Sequence, residues 1–160
     1  MSEQPPPDKH TEARRVAAQK GGDRWRTPED VFDAGLALRH SMWGDGGSAD
    51  QILAADDFMW PMQDYVTRYC FGETWSRPGL SPNLRSMLTL AMLVAQARPN
   101  EIKVHVRGAI ANGVTREEIS EIMLHAMIYC GVPKAVEGFR VAAETIRELD
   151  AESDNAGGGG

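Results

Sequence analysis

Between residues 81 and 133 the chain carries a close succession of helix start and stop signals, and these constrain its fold more than any other feature. Ser81 followed by Pro82 caps and opens a helix, since serine accepts from a free first-turn N–H and proline lacks one to waste. The segment "NLRSMLTLAMLVAQA" follows, with apolar residues on most of its circumference, and "RP" closes it. A helix is predicted from about Asn100 to Asn112, ended by Gly113 in a left-handed C-cap. Thr115-x-x-Glu118 is a capping box opening the next helix, which stops near "CGVP". A last helix is expected from about Pro133 to Leu149.

The same punctuation extends upstream. Thr27 as N-cap, Pro28 at the first helical position and two acids in the first turn predict a helix to about Met42, stopped by "WGDGG". A second helix is expected from about Ser48 to Tyr69, broken or kinked at Pro61. "CFGETWSRPGLSP" reads as an irregular connection. No segment alternates with the period of a strand, and no repeat is evident. The fold class is therefore all-α, with about six helices in one domain over residues 27–149. Residues 1–26, polar and with three consecutive prolines, read as a flexible tail with a short helix around residues 11–20; residues 150–160, acidic and then pure glycine, read as a disordered end.

Charge and composition exclude several function classes. The net charge of −6 and the lack of a basic face outside the N-terminal tail argue against nucleic-acid binding. No apolar run reaches the ~18 residues of a membrane span, and no secretory h-region opens the chain. Cys70 and Cys130 read as reduced thiols, and the expected location is the cytoplasm. Helices apolar on most sides, in a core of this size, predict a homo-oligomer.

Two glutamate–histidine pairs stand out: Glu101 with His105, and Glu121 with His125, each four residues apart and bordering an apolar helix face. Each is either an ordinary surface pair or a histidine tuned for proton transfer by its carboxylate. Gly108, on the His105 stripe, leaves room for a ligand or a close backbone. A metal site is not expected, because neither His-Glu-x-x-His nor Cys-x-x-Cys is present. A serine nucleophile has no Gly-x-Ser-x-Gly turn to present it. Arg85, early in a helix that reads as buried, is hard to explain as a solvated charge and is a candidate carboxylate fork. Arg77 and Trp75 lie in the irregular connection, where binding residues often sit.

Read together, Trp75-Ser-Arg77-Pro-Gly-Leu, Arg85-Ser86, Glu101-Ile-Lys-Val-His105-Val-Arg107, Asn112-Gly113-Val-Thr and Tyr129-Cys-Gly131-Val-Pro133 closely resemble the carboxymuconolactone decarboxylase family. The likeness covers nearly all of residues 33–149. In the wider alkylhydroperoxidase D-like superfamily a reactive Cys-x-x-Cys precedes a histidine by four residues. Here His105 fits that histidine, Glu101 stands where the second cysteine would be, and Ala97 or Arg98 occupies the region of the first. The departure disfavours thiol peroxidase chemistry. The resemblance implies an alkylhydroperoxidase D-like helical domain assembled in rings, with a hexamer favoured. It also implies cofactor-free decarboxylation of a small anionic lactone, 4-carboxymuconolactone, to 3-oxoadipate enol-lactone in protocatechuate catabolism. A related lyase or isomerase acting on a different lactone or keto acid is the alternative. On this reading His105, oriented by Glu101, is the first candidate for the proton donor and His125 the second, while Arg85, Arg77, Trp75, Arg107 and Tyr129 are the candidate substrate-binding residues. No metal or other cofactor is expected, because the lactone carries its own electron sink.

Overall fold

The computed structural model describes residues 28–157, and the predicted N-terminal tail, Thr27 and the last three glycines lie outside them. Among the described residues there are seven α-helices, a 3₁₀ turn and a π-helical segment, with no strand. Helix α1 (Pro28–Trp43) leads through the 3₁₀ turn Asp45–Gly47 to α2 (Ala49–Leu53). Helix α3 (Trp60–Tyr65) runs directly into the π-helix Val66–Trp75. Four longer helices follow: α4 (Pro82–Ala95), α5 (Pro99–Ala111), α6 (Arg116–Cys130) and α7 (Val132–Gly157). None of these helices is long and apolar enough to cross a membrane.

The capping expectations agree with the structure. Ser81 accepts from Leu84 N–H at 3.2 Å. Thr115 and Glu118 form the reciprocal box, each side chain accepting from the other's backbone N–H, at 3.1 and 2.8 Å. Gly113 and Gly131 take φ of 81° and 96°, a region other residues enter at a cost.

Three boundaries differ from the sequence reading. The break in the second helix falls at residues 54–59 rather than at Pro61. There Asp56 Oδ1 accepts from the backbone N–H groups of Phe58 and Met59, at 3.1 and 2.8 Å, and starts a new helix. Pro61 then sits in its first turn, where a missing N–H costs nothing. The first six residues of the expected irregular connection are helical, in π geometry, so Trp75 closes a helix instead of standing in a loop. Hydroxyls support this segment: Thr74 Oγ1 donates to the Tyr69 carbonyl and Ser76 Oγ to that of Phe71, each five residues back, at 2.9 and 2.8 Å. Finally, α7 continues past residue 149 to Gly157. Asp150 pairs with Arg116, and Glu152 with Arg107 at 2.8 Å, so charges that read as a loose acidic end fasten the helix to α6 and α5.

The main core lies among α4–α7. Leu90, Val94, Ile102, Val106, Ile119 and Met123 are almost fully buried there, each burial contributing about 1.5–3 kcal/mol. A second, smaller core joins α1 to the π-helix through Met42, Phe71 and Trp75. These two elements touch backbone to backbone. A Cβ on Gly35 would lie 1.9 Å from the Thr67 carbonyl oxygen, and one on Gly72 would lie 2.2 Å from that of Val31. Arg39 ties the same region together, donating to the Gly47 carbonyl (3.0 Å), Gln63 Oε1 (3.0 Å) and Thr67 Oγ1 (2.7 Å). Helix α4 is less enclosed than its composition suggested. Leu84, Leu88 and Met92, spaced by four, keep 47%, 47% and 57% of their surface in solvent.

Candidate functional site

Helix α5 joins the two cores, and His105 sits at that junction. Pro99 in the first turn fixes its start, and Ile102, Val106 and Ala109 bury one face in the main core. The neighbouring stripe, Glu101–His105–Gly108, therefore turns towards α1. Gly108 allows this approach, but the space is taken by protein. A Cβ there would lie 2.8 Å from Met42 Cε and 2.8 Å from Trp43 Nε1.

Aromatic rings surround His105. The Trp43 ring meets it edge-on, with centroids 5.5 Å apart at 90°, and the Trp75 ring lies 6.5 Å away. Phe71 closes the group, 5.5 Å from Trp43 and 5.7 Å from Trp75. Trp43 is fixed in turn by its indole N–H, which donates to the Val104 carbonyl at 2.9 Å. The π-helix contributes to this geometry by placing Phe71 and Trp75 on the side facing α1. Such segments are frequent at functional sites.

Burial pushes the His105 imidazole below the ordinary histidine value, and the Glu101 carboxylate one turn away draws it partly back up. Its Nδ1 is buried without a hydrogen-bond partner. An unsatisfied buried polar atom costs about 1–3 kcal/mol, so it calls for a functional explanation. Arg85 Nε is in the same condition. Arg85 is half-buried and forms no ion pair among the described residues; its Nη2 donates to the Arg77 carbonyl at 3.1 Å. That bond ties the start of α4 to the segment just after Trp75. Arg77 itself is exposed.

The remaining candidates lie elsewhere. His125 and Tyr129 are exposed on α6, their rings stacked at 4.6 Å. His125 faces an open cleft of about 740 Å³ between α4 and α6, with Glu117, Glu118 and Glu121 beside it. Within one chain, neither residue touches the rings around His105. Arg107 is held by two carboxylates of α7, Glu148 at 2.9 Å and Glu152 at 2.8 Å, and these bonds keep it firmly charged. Among the described residues no three His, Cys, Asp or Glu side chains converge as a metal site would need. Cys70 and Cys130 are both free thiols.

Sequence reading missed Trp43 and Phe71. Trp43 reads as the first residue of a helix stop, and Phe71 as part of a loop; nothing local shows that they meet each other and that Trp43 meets α5.

The fold defines an all-α bundle whose polar centre is a histidine on an internal helix, without paired thiols beside it. Residues 61–144 match the carboxymuconolactone decarboxylase family. The chain is 39% identical over 119 residues to nitrosuccinic acid decarboxylase npaB of Metarhizium robertsii, an overlap of 74% of this chain and 83% of that protein. It is 34% identical over 121 residues to the 4-carboxymuconolactone decarboxylase of Acinetobacter baylyi, covering 76% of this chain and 90% of that one. The chain belongs to the carboxymuconolactone decarboxylase family.

Proposed function

We propose that this protein is a carboxy-lyase that converts 4-carboxymuconolactone to 3-oxoadipate enol-lactone in protocatechuate breakdown. The observation that carries the reading is His105: a titratable group set among aromatic rings, with a carboxylate one turn away and a ring nitrogen left without a partner. Both relatives named above are decarboxylases, which supports the reaction type.

The chemistry needs little beyond binding and one proton. The bond between the ring carbon and its carboxylate breaks, and carbon dioxide leaves. The electron pair passes into the conjugated lactone as a dienolate, so the substrate supplies the sink that a cofactor otherwise would. Arg85 and Arg77 hold the substrate's carboxylates, for which guanidinium forks are suited. Trp75 covers the ring. His105 delivers the proton to the dienolate carbon, and Glu101 favours its charged form.

The depressed basicity of His105 fits this role. The free protein holds a neutral imidazole near neutral pH. A bound dianion beside it favours imidazolium, so the proton is taken up as the substrate arrives. We assign Arg107 to holding α7. His125 and Tyr129 act, if at the reacting centre, only across a contact between subunits. The exposed α4 stripe supports a homo-oligomer, and the family resemblance favours a hexamer.

A second reading is favoured by the identity to a nitrosuccinic acid decarboxylase. Both acids carry a carboxylate and a carboxymethyl arm on one carbon, next to an electron acceptor. In nitrosuccinate the acceptor is the nitro group, which would take the pair as a nitronate. The two substrates are separated by measuring carbon dioxide release from each under identical conditions. A kcat/KM for the lactone at least ~10-fold above that for nitrosuccinate supports the first reading. Release from nitrosuccinate alone establishes the second, and release from neither overturns both.

A further inference from the structure

A second cleft of about 740 Å³ opens between α1, the 3₁₀ turn, the π-helix, α5 and α7. Its walls are mainly apolar: Met42, Trp43, Val66, Phe71, Ile110 and Leu149. His105 does not line it, and Trp43 is shared between this cleft and the aromatic group around His105.

Two arginines reach the cleft, and they differ in one respect. Arg107 is neutralised by Glu148 and Glu152. Arg39 is only 5% exposed, and all its acceptors are neutral: a backbone carbonyl, an amide oxygen and a hydroxyl. No carboxylate pairs with it among the described residues. Its one charge partner is the Cys70 thiol, whose own burial keeps it protonated. A guanidinium offers five N–H donors, and Arg39 uses three bonds on Nε and Nη1, leaving Nη2 without one among the described residues. A desolvated cation without a counter-charge is costly, commonly by several kcal/mol. A strut between α1 and the π-helix needs the donors Arg39 supplies but not its charge. A carboxylate in the cleft would make use of the charge, while the apolar walls take the rest of the molecule.

We propose that this cleft is a second organic-anion site, separate from the His105 group, which takes a small monocarboxylate with a flat apolar body, its carboxylate on Arg39 and its body against Trp43 and Phe71. Because Trp43 also contacts His105, occupancy of this site bears on the ring that holds the histidine in place.

Benzoate is the probe, titrated calorimetrically into the full chain alongside benzamide, its neutral counterpart. Benzoate should bind saturably at about 1 mM or tighter, and benzamide at least ~10-fold more weakly. Arg39→Gln should abolish benzoate binding, with its melting curve checked because three hydrogen bonds are altered. Ala111→Phe provides an independent variant: Ala111 is the exposed last residue of α5 and lines the cleft, so the added ring fills the space without touching the core. It should weaken benzoate at least ~10-fold. Arg85→Gln should bind benzoate as the wild type does. The proposal is overturned if no saturable binding is seen to about 10 mM, if benzamide binds equally, or if Arg85→Gln removes binding while Ala111→Phe retains it.

Discussion

Replacing His105 by glutamine separates catalysis from folding, and the structure indicates the size of both effects. The substitution removes ring contacts to Trp43 and Trp75, worth about 0.5–1.5 kcal/mol each. It also removes the orphaned Nδ1, whose burial costs about 1–3 kcal/mol. These contributions, about 1–3 kcal/mol on each side, oppose one another, so folding stability should move by no more than about 2 kcal/mol. If His105 delivers the proton, the chemical step should slow by about 10²–10⁴-fold, or about 2.7–5.5 kcal/mol of transition-state stabilisation. Single-turnover carbon dioxide release measures the first quantity and urea unfolding the second. The pH dependence adds a further check. In free protein His105 titrates below the ordinary histidine value, so kcat/KM should begin to fall at a low pH as the proton is lost. In the complex the dianion raises that value, so the corresponding fall in kcat should come at higher pH. Both limbs should vanish in the variant. Turnover by His105→Gln within about threefold of wild type would refute the role assigned to His105 and transfer it to His125.

His105 should also shape the stability profile: its folded value is depressed, so its contribution is present above the unfolded value of about 6.5 and lost as pH falls through the folded value, a loss that urea midpoints should show in wild type and not in His105→Gln. Gly72→Ala should cost about 3 kcal/mol or more, because its Cβ would lie 2.2 Å from a backbone oxygen of α1, and a loss below about 1 kcal/mol would contradict the packing described. Thr115→Ala removes one arm of the capping box and should cost about 1 kcal/mol in the same assay. Leu88→Asp places a charge in the exposed α4 stripe and should lower the assembly mass in sedimentation; an unchanged oligomer would show that this stripe is not the subunit contact.

Much of the helical framework could be read locally, because its signals act within a single turn. Thr115 and Glu118 cap each other over three residues, Ser81 caps over the same span, and Gly113 and Gly131 accept positive φ whatever surrounds them. The Glu101–His105 spacing likewise marked the polar stripe of α5, and the residues around it carried the family resemblance. Local spacing did not reveal what that stripe faces. Trp43 meets the Val104 carbonyl across 61 positions of sequence, and Gly108, read as room for a ligand or a close backbone, is where side chains of α1 fit against α5. The π geometry of Val66–Trp75 accompanies the backbone contact between Gly72 and Val31, which no nearest-neighbour pattern encodes. No local pattern singles out Arg39; only packing against Gln63 and Thr67 makes it a buried cation. Helix α7 outran its apolar pattern because Arg107 and Arg116, on other helices, were positioned to receive its acids. Sequence determined where most of the helices start, since capping energies are local; the tertiary structure decided how far α7 runs and which rings and charges lose their water, since those depend on partners distant in the chain.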